Sequence, residues 1–174
     1  MPSASGLNQA QRLRARERAT QAALLAHHHH GATGGPLKYT QDQEDRWEGI
    51  AKRLNSRIGQ YPKMADCSSF VTWCLWNALY LKFGLGDIVN GYGWTAGYTG
   101  TLRSHGLRVQ HVANLLRGDL VHYGPGEGAH VTIVVSKPGT GVPMVVTWGD
   151  PNGGNPRMDV YNYRSDVAEF RRYI

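Results

Sequence analysis

Residues 61–80 read YPKMADCSSFVTWCLWNALY and carry the clearest helical pattern of the chain. From Cys67 onward, apolar residues recur at steps of three and four, which predicts a helix that begins near Cys67. Asp66 directly precedes this pattern, where it is expected to cap the helix rather than to act as a catalytic acid. Cys67 itself has two interpretations, because a free cysteine can be a nucleophile or one more small core residue.

The position of Cys67 favours the first interpretation, since a helix N-terminus lowers the pKa of a thiol. Cys74 lies between Trp73 and Leu75 two turns later, which is typical of the core. Seven helical residues separate the two α-carbons by about 10.5 Å, too far for a disulfide. Two cysteines alone also make a poor zinc site. We therefore expect free thiols, no metal and no cofactor.

The sequence before this helix has a helical pattern, whereas the sequence after it has the pattern of strands. Residues 42–59, DQEDRWEGIAKRLNSRIG, predict an earlier helix with an apolar face. Residues 118–124, 130–139 and 143–150 read GDLVHYG, HVTIVVSKPG and PMVVTWGD, which predict short strands bounded by Gly and Pro. The C-terminal stretch 157–174 adds one or two strands. Helices followed by strands predict an α+β fold with an antiparallel sheet.

Residues 1–38 form a separate basic arm in this interpretation, followed by a folded domain over residues 39–174. The arm carries a net charge of +4 out of +6. It either binds an anionic polymer or is a solvated helix. Residues 8–26 predict a helix, and HHHHGATGGP at 27–36 predicts a flexible linker rather than a metal site. Nucleic acid is not expected as a partner, because the arm lacks interleaved aromatic residues.

Neither a transmembrane helix nor a secretory signal peptide is predicted. The sequence has no run of 18 apolar residues. The basic N-terminus lacks an apolar segment with a small-residue cleavage site.

A nucleophilic cysteine needs a base that is near in space. His130 opens the strand HVTIVV after a glycine-rich loop, which suits a general base, whereas His122 is expected to pack within the sheet. The base also needs a polar group to orient its ring. Asp150, at the end of the next strand, is the first candidate for this role, and Asn152 and Asn155 are alternatives.

These motifs in this order resemble the NlpC/P60 cysteine peptidases of the papain-like clan: ADCSSFVTWC, then RGDLVHYG, then HVTIVV. Further stretches, among them NGYGWTAGYTGTL and YRSDVAEFRRYI, are similar to the N-terminal peptidase domains of endolysins from phages of mycobacteria and related actinobacteria. The likeness covers residues 39–174. It implies an antiparallel sheet packed on the helix that carries Cys67, and a thiolate–imidazolium pair between Cys67 and His130.

This sequence departs from the family pattern at one position. Trp148 stands where a third catalytic histidine is expected, and an indole has only an N–H donor and cannot accept a proton from His130. Asp150 is therefore predicted as the third catalytic residue, with Asn152 or a backbone carbonyl as the alternatives. The predicted substrate-binding residues are Tyr61, Ser68, Trp94 and Trp148. Trp94 has the alternative of anchoring its glycine-rich loop to the core.

The implied activity is hydrolysis of an amide in the stem peptide of actinobacterial peptidoglycan, between L-Ala and D-Glu or between D-Glu and diaminopimelate. An N-acetylmuramoyl-L-alanine amidase is the nearest alternative, and a non-catalytic wall-binding or virion structural module is a third. We expect a monomer. Because no signal peptide is predicted, we expect it to stay in the host cytoplasm until a holin-like pore gives it access to the wall.

Overall fold

The computed structural model describes residues 5–32, 37–49, 57–136, 141–149 and 156–174. Its helices are α1 (Gln9–Ala32), α2 (Cys67–Phe83) and the short α3 (Thr99–Ser104), with a 3-10 turn at Val112–Asn114. Its strands are β1 (Lys38–Tyr39), β2 (Met64–Ala65), β3 (Leu107–Val109), β4 (Leu120–Tyr123), β5 (His130–Val134), β6 (Met144–Thr147), β7 (Arg157–Val160) and β8 (Val167–Arg172). No helix of these ranges is long and apolar enough to cross a membrane.

Six of these strands form one antiparallel sheet in the order β3-β8-β4-β5-β6-β7. Side chains alternate along each strand, so each strand contributes to both faces. Leu120 of β4 joins the main core with α2, while Val121 and Tyr123 join a smaller apolar cluster on the other face. Both faces are therefore covered, and the prediction of an α+β fold with an antiparallel sheet is confirmed.

Helix α2 begins at Cys67 because Asp66 caps it. Asp66 Oδ1 accepts a hydrogen bond from the Ser69 backbone N–H at 2.7 Å, and Ser69 Oγ accepts one from the Asp66 N–H at 2.9 Å. This reciprocal capping box satisfies two donors that would otherwise lack partners at the helix start. The helix ends at Gly84, whose φ of 67° is the left-handed conformation that glycine adopts without strain.

Helix α1 packs on α2 through a face of small residues. Alanine side chains allow two helix backbones to approach closely, and those on this face are fully buried. They are Ala15, Ala19, Ala22, Ala23 and Ala26. Two arginines of the arm also make structural contacts: Arg16 donates to the Ile174 carbonyl at 2.7 and 3.1 Å, and Arg18 to the Asn77 carbonyl at 2.9 Å. The arm thus shares one core with the rest of the chain.

The histidine tract extends α1. His27 Nδ1 lies 2.9 Å from the Pro156 carbonyl oxygen, and the His29 ring stacks on Tyr61 with centroids 4.4 Å apart. The prediction of a flexible linker is therefore wrong for His27–His30, because packing against the domain extends the helix beyond its alanine-rich part. The helix predicted over residues 42–59 is not seen in its described part, where residues 43–49 form turns, and residues 50–56 lie outside the described residues.

Candidate active site

The Cys67 thiol is the first side chain of α2 and is 8% exposed. The backbone N–H groups of Val131 and Ser68 lie near its sulfur, where they oppose the rise of the thiol pKa. The Thr99 hydroxyl lies 4.0 Å from the same sulfur. Val131 directly follows His130, so the thiol lies against the beginning of β5.

Burial decides the protonation of this thiol. It raises the pKa of Cys67 to about 12, the Asp66 carboxylate adds to the rise, and the hydrogen bonds from Val131, Thr99 and Ser68 oppose it. Desolvation disfavours the charged form of any buried acid. Desolvation therefore raises the pKa of this thiol, which is the direction opposite to the lowering predicted from the helix start.

The His130 imidazole opens β5 and is 5% exposed. Its Nε2 lies 2.7 Å from the Thr147 hydroxyl, which lies 3.4 Å from the Tyr163 hydroxyl. Burial lowers the pKa of His130 to about 4, and the nearby Arg164 and Arg157 contribute to the lowering. With its proton on Nε2, the neutral ring donates to Thr147 and leaves Nδ1 as a proton acceptor.

Burial thus favours the neutral form of both side chains, whereas the resemblance implies an ion pair between them. The described residues make no direct hydrogen bond between Sγ and the imidazole. Catalytic hydrogen bonds are often long in unliganded structures and shorten when substrate binds.

Tyr39 and Gly149 complete the surroundings of the base. A β-carbon at Gly149, whose φ is 141°, would lie 3.2 Å from His130 Cε1 and 3.3 Å from Tyr39 Cε2. Glycine is needed there because a side chain would displace one of the two rings. Pairing of β1 with β2 places Tyr39 beside Ala65, two residues before the nucleophile. Burial raises the pKa of Tyr39, and Cys67 and Asp66 raise it further.

The Arg46 side chain binds the residues at the start of α2. Its Nη1 donates to Asp66 Oδ2 at 2.8 Å and to Ser68 Oγ at 3.3 Å, and its Nη2 donates to the Gly97 carbonyl at 2.5 Å. The side chain is 1% exposed, and its guanidinium lies 4.8 Å from the centroid of the Tyr98 ring. Arg46 therefore holds the capping carboxylate in place while balancing its charge.

A groove of about 320 Å³ opens in front of the thiol. Cys67, Ser68 and Thr99 form one side, and Glu127, Gly128 and Ala129 of the loop before β5 form another. Ser68, a predicted substrate-binding residue, lines this groove, and its hydroxyl donates to Asp66 Oδ1 at 3.0 Å. The Cys67 thiol therefore lies at the wall of an open groove.

The structure places the other predicted substrate-binding residues away from this groove. Trp148 is fully buried with its ring centroid 5.0 Å from that of Phe70, because strand alternation turns it toward the core. Trp94 is 4% exposed and donates from its indole to the Leu85 carbonyl, so it anchors its loop. Tyr61 stacks on the His29 ring of α1.

The predicted third catalytic residue, Asp150, lies outside the described residues, as do Asn152 and Asn155. Three site residues were missed by sequence reasoning: Tyr39, Arg46 and the hydroxyl of Thr147 as the partner of His130. A signal was present only for Thr147, because strand alternation turns it to the face opposite Trp148.

A Thr147→Val substitution tests the role of this hydroxyl. We expect kcat/KM to fall by about 10- to 100-fold, because valine keeps the shape but leaves Nε2 without a partner and the ring free to turn. Steady-state kinetics on a soluble stem peptide will measure the effect, which should lie in kcat rather than KM. Thr147→Ser is the control and should retain most activity. Full activity of the valine variant would remove Thr147 from the site.

The free energy of unfolding at acid pH should depend on the two buried histidines, His122 and His130. His122 is fully buried, neither ring nitrogen has a hydrogen-bond partner among the described residues, and burial lowers its pKa to about 3. In the unfolded chain a histidine has a pKa near 6.5. As the pH falls below 6.5, the unfolded chain therefore binds protons that the folded protein does not bind. The folded state loses stability until the pH reaches the folded-state pKa values. Between pH 7 and pH 5 each histidine should cost about 2 kcal/mol of the free energy of unfolding.

Urea unfolding at pH 7, 6 and 5 will measure this loss. A His130→Gln variant should show about half the pH dependence of the wild type, whereas His111→Gln, at an exposed position, should match the wild type. Equal stability of the wild type at pH 7 and pH 5 would contradict the buried neutral state of both rings.

The chain matches no protein-family model and no curated protein sequence, but it is similar to several solved structures. Rv1477, a hypothetical invasion protein of Mycobacterium tuberculosis, superposes with a TM-score of 0.62 at 19% identity over 99% of this chain and 70% of that chain. The P60 domain of antigen MAP1204 from M. avium subspecies paratuberculosis superposes with a TM-score of 0.53 at 17% identity. The match covers 91% of this chain and 97% of that chain.

A third similar structure is NlpC2 from Trichomonas vaginalis, with a TM-score of 0.55 at 17% identity over 99% of this chain. The chain spans about half the length of that protein, which it covers to 50%. At these identities the likeness concerns the arrangement of helices and strands. Taken with α2 packed on the antiparallel sheet, it shows that this chain has the papain-like NlpC/P60 fold.

Proposed function

We propose that this chain is a cysteine peptidase that hydrolyses an amide bond in the stem peptide of peptidoglycan. The observation that carries the proposal is the arrangement at the groove: a thiol at a capped helix start, beside the strand that begins with His130. The 2.7 Å contact between His130 Nε2 and Thr147 supports it, since a base needs a partner that fixes its ring. The NlpC/P60 fold and the sequence motifs agree with this chemistry.

His130 acts as the base in the proposed mechanism. Its Nε2 keeps its proton and donates it in a hydrogen bond to the Thr147 hydroxyl. Nδ1 takes the proton of the Cys67 thiol as the sulfur attacks the carbonyl carbon. The C–S bond forms, and the carbonyl oxygen becomes an oxyanion near the backbone N–H of Cys67, which has no intrahelical partner in the first turn. His130 then returns the proton to the leaving nitrogen, and the C–N bond breaks.

Water completes the cycle. His130 removes a proton from the water that attacks the thioester, the C–S bond breaks, and the thiol is restored. The hydrogen bonds from Val131 and Thr99 to the sulfur favour its charged form when the pair ionises. A neutral resting pair means that these bonds act only during the reaction.

The finer parts of the proposal rest on the sequence resemblance. The bond cut is the one between L-Ala and D-Glu or the one between D-Glu and diaminopimelate. The biological setting is lysis of an actinobacterial host by a phage, with the enzyme reaching the wall through a holin-like pore from the host cytoplasm. It acts as a monomer without a cofactor.

A defined muropeptide identifies the bond. The protein is incubated under reducing conditions with N-acetylmuramoyl-L-Ala-D-Glu-diaminopimelate-D-Ala, and the products are analysed by mass spectrometry. A new amino terminus on D-Glu or on diaminopimelate is expected. A free lactyl carboxylate with an intact stem would make the protein an amidase. Binding without any cleavage would leave a non-catalytic wall-binding module.

A further inference from the structure

The Thr147 hydroxyl has two side-chain partners. Its oxygen lies 2.7 Å from His130 Nε2 and 3.4 Å from the Tyr163 hydroxyl oxygen. Thr147 is 4% exposed, so its hydroxyl has little access to water. The hydrolytic mechanism uses the contact with His130 and gives Tyr163 no role.

The direction of the Thr147 proton decides which nitrogen of His130 is free. A threonine hydroxyl carries one proton and two lone pairs. If His130 Nε2 donates to Thr147 Oγ1, the Thr147 proton has to point to another acceptor, and Tyr163 Oη is the one that the described side chains offer. If the Thr147 proton pointed to Nε2 instead, the ring proton would move to Nδ1, which could then take no proton from the thiol.

The Tyr163 ring is held by two neighbouring side chains. Its centroid lies 5.5 Å from that of Tyr123, and the Tyr123 centroid lies 5.7 Å from that of His130. Arg157 is the cross-strand partner of Thr147, and its guanidinium lies 5.2 Å from the Tyr163 centroid. Burial raises the pKa of Tyr163, so its phenol stays protonated at neutral pH. Because Tyr163 is only half-buried, its own O–H can donate to solvent while its oxygen accepts from Thr147.

We propose that Tyr163 is a positioning residue that acts through Thr147. Its oxygen accepts the Thr147 hydroxyl proton, which turns a lone pair of Thr147 toward His130 Nε2 and keeps the ring proton on that nitrogen. Nδ1 is thereby left to accept the proton of the Cys67 thiol. The effect of Tyr163 on rate rests on the proposed function, whereas its effect on the position of the ring proton does not.

A Tyr163→Phe substitution tests the effect on rate, because it keeps the ring and removes the hydroxyl. We expect kcat on a soluble muropeptide to fall by about 2- to 10-fold, which corresponds to the loss of one neutral hydrogen bond. KM should not change, since Tyr163 does not line the groove. In a Thr147→Val background the same substitution should have no further effect, because no hydroxyl remains to be positioned. Tyr161→Phe, also between β7 and β8, is the matched control and should match the wild type.

Nitrogen-15 NMR of the imidazole at pH 7 measures the position of the ring proton directly. The signal of His130 is assigned by its absence from the spectrum of His130→Gln. The wild type is expected to show one tautomer, protonated on Nε2, and Tyr163→Phe a mixture of the two tautomers. No substrate is present in this measurement, so its result does not depend on whether the protein is a peptidase.

Three results would overturn the inference and leave the peptidase intact. The first is a wild-type ring protonated on Nδ1, which would mean that Tyr163 donates to Thr147 and Thr147 to Nε2. The second is an unchanged tautomer in Tyr163→Phe, and the third is the same loss of rate from Tyr163→Phe with and without Thr147→Val. Cleavage of no muropeptide by the wild type would overturn the proposed function, while the NMR spectra would still decide the role of Tyr163.

Discussion

Replacement of His130 by alanine is expected to lower kcat/KM by about 10³-fold or more at pH 7. A positioned base contributes about 10²- to 10⁴-fold. The Cys67 thiol depends on that base more than most, because burial holds its pKa at about 12 and almost no thiolate forms without a proton acceptor. The effect should appear in kcat, since His130 is 5% exposed and binds little of the substrate.

The pH profile gives a second measure of the same base. Because the pKa of His130 in the free protein is about 4, kcat/KM should not fall between pH 7 and pH 5.5 while the protein stays folded. His111→Ala, at an exposed position, should leave the rate unchanged. Loss of activity centred near pH 6.5 would mean that the ring is solvated in the free site.

Replacement of Cys67 by alanine is expected to lower kcat/KM by at least about 10⁴-fold, with folding and substrate binding retained. Removal of a nucleophile usually leaves only the catalysis that binding and oxyanion contacts supply. The helix should still form, because its cap depends on Asp66 and Ser69 rather than on the thiol. Kinetics on a soluble muropeptide and isothermal titration with the same ligand will separate rate from binding.

Cys74→Ala is the matched control. Cys74 is fully buried in α2 and free, so its removal should cost about 1 kcal/mol of stability and leave kcat/KM near the wild-type value. Loss of activity in the Cys74 variant alone, with the Cys67 variant active, would reverse the assignment of the nucleophile.

Sequence periodicity predicted the parts of the fold that depend on local chemistry. The three- and four-residue spacing after Asp66 predicted α2 with its correct start. The apolar runs bounded by Gly and Pro predicted β4, β5 and β6. These signals work because helix caps and strand alternation involve residues that are close in the chain.

The rest of the site depends on contacts between distant residues. Tyr39 lies beside Ala65, two residues before Cys67, through a two-residue parallel pairing of β1 with β2, and a pairing that short has no sequence signature. Arg46 lies in a turn rather than on the predicted helix. Its hydrogen bond joins it to Asp66, which lies 20 residues later in the sequence. Thr147 follows from strand alternation only as a residue on the face opposite Trp148, and a hydroxyl is an uncommon partner for a catalytic histidine.

The pKa of the thiol shows the same limit. A helix start was expected to favour the thiolate, whereas the surrounding core determines the result. Cys67 belongs to the main hydrophobic cluster with Phe70 and Trp148, and desolvation of the buried sulfur raises its pKa. Burial depends on the whole fold and is not visible in the residues that flank Cys67.

Digestion of purified diaminopimelate-type peptidoglycan by the wild type and by Cys67→Ala tests the central claim most directly. The released fragments are mass-analysed and their new amino termini are counted under reducing conditions. Hydrolysis through Cys67 predicts new amino termini within the stem peptides from the wild type and none from the variant. Equal release by both proteins, or release by neither, would contradict the assignment of Cys67 as the nucleophile of a peptidoglycan peptidase.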